Sequence, residues 1–114
     1  MRSSDGSVRG EQLKGHLDLL LLSILRRGPA HGYQIVTALR EDSDGTFDLP
    51  EGTAYPALHR LEAAGLLWSE WSTHEGRRRR TYAITSAGRA ALAQEKRAWQ
   101  LFSRSVGAVI GGHA

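Results

Sequence analysis

Apolar residues recur with a helical period along most of the chain. Between residues 12 and 27, leucine and isoleucine stand at 13, 17, 20, 21, 24 and 25. Steps of three and four put these positions on one helix face, and Gly28-Pro29 stops the run. A second helix is predicted over residues 30–41, with Ile35, Val36 and Leu39 turned inward. Residues 42–45 read as a turn, and the alternation over residues 46–49 fits a very short strand. A third helix lies between Pro50 and Ala64, with Ala54, Leu58 and Leu61 as its core side and Gly65 as its C-terminal cap. Its start has two readings. Either Thr53 is the N-cap and Pro56 falls in the first turn, or the helix starts at Glu51 and tolerates Pro56 as a kink.

The period then changes. Residues 66–73 are rich in aromatic and hydroxyl side chains and read as a strand. Residues 74–77 make a tight turn, and residues 79–84 return with Tyr82 and Ile84 on one face. Trp68 and Trp71 fall on opposite faces of the first strand, one directed to the core and the other to its rim. Thr85 caps a last helix that reaches Ile110 and ends at Gly111-Gly112. At ~1.5 Å per residue this helix is longer than so small a core can cover. Its stripe of Ala91, Leu92, Glu95, Ala98, Trp99, Phe102, Val106 and Val109 therefore points to packing against another chain.

Three helices followed by a two-stranded hairpin give an α+β, mostly helical architecture, the winged helix-turn-helix, whose third helix enters the DNA major groove. The chain divides into an N-terminal tail (residues 1–11), a winged-helix domain (12–84), and a long C-terminal dimerisation helix with a short tail (85–114).

Composition narrows the function. With 114 residues the chain builds one core and not two. The absence of cysteine removes disulfides, thiolate catalysis and Cys-ligated zinc. No apolar run approaches the roughly 20 residues of a membrane span, and the polar start lacks a secretory signal, so a cytoplasmic protein without membrane contact is expected. The net charge is only +3, but it is unevenly placed. Arg77, Arg78, Arg79, Arg80, Arg89, Lys96 and Arg97 cluster against Glu95 alone, whereas residues 41–51 carry Glu41, Asp42, Asp44, Asp48 and Glu51 with no base. A local basic patch of this kind calls for a polyanionic partner, nucleic acid first.

Specific segments carry a family resemblance. Leu13-Lys14-Gly15-His16-Leu17-Asp18 before the leucine run, then Gly28-Pro29-Ala30-His31-Gly32-Tyr33-Gln34-Ile35, resembles the N-terminal half of the PadR family of bacterial regulators. Gly52-Thr53-Ala54-Tyr55-Pro56-Ala57-Leu58-His59-Arg60-Leu61-Glu62 resembles its recognition-helix segment. Gly76-Arg77-Arg78-Arg79-Arg80-Thr81-Tyr82 and Ile84-Thr85-Ser86-Ala87-Gly88-Arg89 resemble its wing and the start of its dimerisation helix. The resemblance implies a homodimer that represses transcription from an operator in double-stranded DNA, released in many members by a small effector. Family members often have Ser, Thr or Asn capping the third helix, where this chain has Pro50. They commonly have proline and lysine after the first Gly-Arg of the wing, where this chain has more arginine. Members with one short terminal helix often dimerise through it, and some bind flat aromatic molecules between the paired helices. Trp99 falls where such members carry an aromatic ring.

The candidate site residues follow. The run Arg77, Arg78, Arg79 and Arg80, read as the tip of the wing, suits phosphate contacts, because a guanidinium fork matches phosphate oxygens and stays charged. A solvated charged turn is the plainer reading. Thr53, Tyr55, His59 and Arg60 lie off the core face of the third helix, the first two suited to phosphates and the others to base edges. Tyr33 and Lys14 sit near the starts of the second and first helices, where Tyr33 equally fits a packed helix junction. Leu92, Trp99, Phe102 and Val106 form the ligand or dimer face. The five histidines have no metal-ligand spacing. No catalytic set is present, so neither an enzyme nor a cofactor or metal is expected. A winged helix serving as a protein-interaction module, without specific DNA binding, is the alternative.

Overall fold

The computed structural model describes residue 13 and residues 15–112. The predicted tail and Lys14 lie outside the described residues.

Helix α1 is Leu17–Leu25. It begins later than the leucine periodicity suggests, because Gly15 and His16 form a turn closed by His16 N donating to the Leu13 carbonyl at 2.8 Å. Leu13 is nevertheless buried in the same core as Leu17, Leu21, Leu22 and Leu25, so the apolar spacing reports burial correctly and helix length too generously. After α1, Ala30–His31 forms strand β1, two residues that the sequence pattern assigns to the second helix. They pair with Tyr82 and Thr81 and fill one edge of the sheet. Helix α2 is Gly32–Asp42, and its Ile35, Val36 and Leu39 face the core as expected. The Gln34 side chain accepts a hydrogen bond from His31 N at 3.0 Å, which satisfies one donor at the helix entry.

Residues 46–49 form no strand. Leu49 and Phe47 instead pack inward on the hydrophobic core from an irregular segment. Helix α3, Glu51–Ala63, settles the two readings of its start in favour of Glu51. Thr53 is not its cap. The Pro50 carbonyl accepts from both Thr53 N and Ala54 N at 3.0 Å, so backbone alone closes the first turn. Pro56 then sits inside the helix on its exposed side. At the other end Gly65 takes φ 81°, and Leu66 N reaches back to the Leu61 carbonyl at 3.0 Å, a glycine-terminated helix end.

Strands β2, Leu67–His74, and β3, Arg77–Ile84, pair antiparallel with His74 opposite Arg77. The sheet order is β1-β3-β2. Glu75 and Gly76 both have positive φ (52° and 76°), the requirement of a two-residue hairpin turn whose twist matches the strands. The tip of the wing is therefore Glu75-Gly76. The arginine run is the first half of β3 and not the tip, so its side chains alternate between two faces. Tyr82, further along, is the largest fully buried side chain. Neither strand tryptophan enters the core: Trp68 is 49% and Trp71 52% exposed, and Leu67 takes the inward position beside the helices.

Helix α4, Ser86–Gly111, starts as predicted, with the Thr85 hydroxyl accepting from Gly88 N at 3.0 Å and donating to the Gly65 carbonyl at 2.7 Å. Gly88 lies against the Leu66 carbonyl so closely that any side chain there would collide with it. Only Gly88 and Leu92 of this helix are buried. Leu92, assigned from the sequence to the ligand or dimer face, is 6% exposed and packs in the core of its own chain. The architecture is an α+β, mostly helical winged helix. Among the described residues, no helix is long and apolar enough to cross a membrane, and no group of side chains is arranged to hold a metal ion.

Candidate nucleic-acid interface

Three elements meet where β3 runs past the end of β1: the start of α2, the middle of α3 and the outer half of the hairpin. They enclose an open cleft of about 370 Å³. Of the residues singled out in the sequence, the cleft brings together Tyr33, Tyr55, His59, Arg78, Arg79 and Arg80. His31, Gly32 and Trp71 complete its lining, and no carboxylate does. Thr53 and Arg77 are exposed outside it.

Several of these side chains are held by specific contacts. Tyr55 packs its ring on Gly32, where an added methyl would stand 2.5 Å from the ring. Burial raises the Tyr55 hydroxyl above its ordinary pKa, with nearby Glu51 adding to the shift, so it stays a neutral donor. His31 is shifted the other way. Partial burial, with Arg79 and His74 adding positive potential, lowers its pKa below the usual 6.5 and keeps the ring neutral at physiological pH.

The four arginines of β3 do not share one environment. Arg80 points toward α3, where its Nε donates to the Ser69 hydroxyl at 2.7 Å and its guanidinium lies 3.5 Å from Glu62. Ser69 in turn donates to Glu62 at 2.8 Å. Arg78, two residues earlier on the same face, lies over the Trp71 ring at 4.5 Å, and Arg80 lies over that ring at 5.3 Å. Both distances suit a cation–π contact. Arg77 and Arg79 project from the opposite face.

Arg60 is engaged elsewhere. It makes a two-pronged pair with Asp18 of α1, at 2.8 and 3.1 Å, and that hydrogen bonding raises its pKa further. It joins α3 to α1 and is not extended toward the cleft. Glu62, Ser69 and Trp71 escaped the sequence reading as site residues. The period-two alternation of β2 carries the signal for Trp71, but nothing local marks Glu62 as a partner of Arg80.

A second surface lies along α4. Trp99 meets His16 edge-on at 5.1 Å between ring centres and Phe102 at 6.1 Å. An open groove of about 550 Å³ runs between α1 and α4, floored by Leu19, Leu20, Leu92 and Trp99, with Arg26, Arg89 and Lys96 at its rim. Beyond it Leu101, Phe102, Val106, Val109 and Ile110 are exposed.

The fold recurs in known proteins. Residues 21–94 match the family described as the transcriptional regulator PadR-like family. The transcriptional regulator Rv3488 of Mycobacterium tuberculosis is 52% identical over 63 residues, 55% of this chain and 56% of that protein. The matched segment thus spans little more than half of that relative. Among solved structures, a transcriptional regulator from Clostridium thermocellum superposes with a TM-score of 0.80 at 31% identity, covering 86% of this chain and 96% of the other. A PadR family regulator from Eggerthella lenta superposes with a TM-score of 0.78 at 34% identity, covering 90% and 88%. The fold, the order of its segments and these matches agree: the chain belongs to the PadR-like family of transcriptional regulators.

Proposed function

We propose that this regulator is a homodimeric, cytoplasmic repressor that binds double-stranded operator DNA through α3 and the hairpin wing. The observation that carries the reading is the cleft beside α3, lined by Arg78, Arg79 and Arg80 and by no carboxylate. Such a cleft attracts a phosphate backbone. In this reading Tyr33, Tyr55 and the wing arginines contact phosphates and set register, while His59, with Thr53 at the helix entry, faces the major groove. Arg60 supports α3 from behind through Asp18 and takes no part in base reading.

Residues 12–84 act as the DNA-binding unit, and residues 85–114 as the dimerisation helix. The exposed Phe102 and Val106 pair the two copies. A planar aromatic effector stacking on Trp99 relieves operator binding by shifting one helix against the other. No catalytic step enters this scheme.

A mobility-shift titration with the protein's own promoter, against random duplex, tests the main reading. Affinity for the promoter exceeds that for random DNA, and log K falls with log salt by about 0.9 per phosphate contacted. Binding that ignores salt, or never exceeds the random duplex, refutes it. Replacing Arg77 to Arg80 together by Ala abolishes binding while the fold persists. The same variant would leave intact any complex of a pure protein-interaction module. For the effector, Trp99 fluorescence changes on adding a planar aromatic ligand, and an unchanged affinity in W99A removes Trp99 from that site.

A further inference from the structure

The wing places an indole where a core-forming strand would place nothing. Trp71 is 52% exposed, lies outside the hydrophobic core, and sits opposite Arg80 in the β2–β3 ladder. A large exposed aromatic ring in solvent gains little for the fold by itself. Its contacts give it a different role. The Arg78 guanidinium lies over its face at 4.5 Å and that of Arg80 at 5.3 Å. Arg80 is also tied to Ser69 and Glu62, so its charge is largely answered within the chain. Arg78 has no carboxylate partner among the described residues, and it lines the cleft with Tyr55 and His59.

From this geometry we infer that Trp71 is a positioning residue for DNA binding, a platform that holds Arg78 over the cleft as the clasp for one backbone phosphodiester. The inference rests on the DNA-binding reading proposed above and adds to it a division of labour within the arginine run. A free arginine on an exposed strand samples many rotamers and loses that freedom when it binds. A ring beneath the guanidinium plane restricts it before the phosphate arrives, and leaves its edge N–H donors free for the oxygens. Arg80, held to Glu62, also lies over the ring and ties the hairpin to the end of α3. The brace Glu62–Ser69–Arg80–Trp71 thus runs from helix to wing and ends in one unneutralised guanidinium.

The test is a double-mutant cycle on promoter DNA with W71A, R78A and the combined variant, together with W71F. Each fold is checked by thermal unfolding, and Trp71 lies outside the core whose loss would unfold the chain. W71A weakens binding about fivefold, the scale of one exposed cation–π contact, and lowers the salt slope by about one phosphate, as R78A does. W71A/R78A is no weaker than R78A alone, and W71F, which keeps an aromatic face, recovers most of the loss. Additive losses in the double variant would mean that Trp71 touches the DNA independently of Arg78, and would overturn the positioning role. So would a W71A protein that binds with unchanged affinity and slope. Failure of the unmodified protein to bind its promoter would instead sink the DNA-binding reading itself, which separates the two failures.

Discussion

The winged-helix head and the outer half of α4 contain similar apolar residues and treat them in opposite ways. In the head, Leu21, Leu22, Ile35, Leu58, Leu61 and Leu67 are all but inaccessible, gathered by three helices and a sheet around one core. On α4 beyond Leu92, Leu101 and Phe102 are more than half exposed, and Val109 and Ile110 reach 82% and 80%. The same chemistry that closes the head is left open on the helix. The head closes its own core, and the stripe on α4 is left without a cover among the described residues, an apolar patch of the kind that marks a contact surface.

The contrast is sharpest when one residue is cut from each region. Leu58→Ala leaves a cavity at the centre of the head and lowers its unfolding free energy by about 2–5 kcal/mol in a urea titration. Val109→Ala removes two side-chain carbons, against three at Leu58, and changes the same titration, run on dilute protein, by about 0.5 kcal/mol or less. A large loss at Val109 in dilute protein would mean that α4 packs on its own head.

Charging the stripe reverses the roles. F102D shifts self-association by sedimentation about a hundredfold toward the monomer, the order expected for a charge placed in a packed apolar contact, and leaves head stability intact. An unchanged association constant would remove α4 from the dimer contact.

Smaller effects probe the joints of the head. Asp18→Asn removes the ionic partner of Arg60. Both side chains are substantially exposed, so the loss in stability is about 0.5 kcal/mol. Weakened DNA binding in this variant, despite its distance from the cleft, would be seen if α1 positions α3. Smallest is the pH effect of His31, whose folded-state pKa lies below the ordinary 6.5. Above that value both folded and unfolded chains carry a neutral ring. As pH falls through 6.5 the unfolded chain takes up the proton first, so stability declines until the folded ring also protonates. Urea titrations at pH 7.5 and 5.5 detect this as a larger decline in the unmodified chain than in His31→Gln, and equal declines would refute it.

Features governed by near neighbours were legible in the sequence. The inward faces of α2 and α3, the glycine that ends α3, the Thr85 cap and the hairpin turn each depend on residues a few positions apart. Features that depend on distant partners were not. Ala30 and His31 look helical until Tyr82 and Thr81 offer them a strand edge. Arg60 looks free until Asp18, 42 residues away, claims it. Pro50 hides its capping role because its backbone carbonyl does the work that a polar side chain usually does. The arginine run lay between these cases. Its charge was plain, but its location depended on where the turn fell, and one step of register separates a solvated tip from a two-faced strand. On the site itself, the sequence marked most of the residues that line the cleft and missed the brace that holds them.

Gly88 has a consequence that extends beyond its own packing. It lets α4 touch the Leu66 carbonyl, and with Thr85 bonded to Gly65 the helix leaves the head at a fixed angle, without slack. In a pair of chains joined along α4, that angle sets how far apart the two wings stand and how they are turned. The spacing of the DNA sequences such a pair would span then depends on a glycine buried at the root of the helix. A change at this corner would retune which promoters are reached while both binding surfaces stay the same.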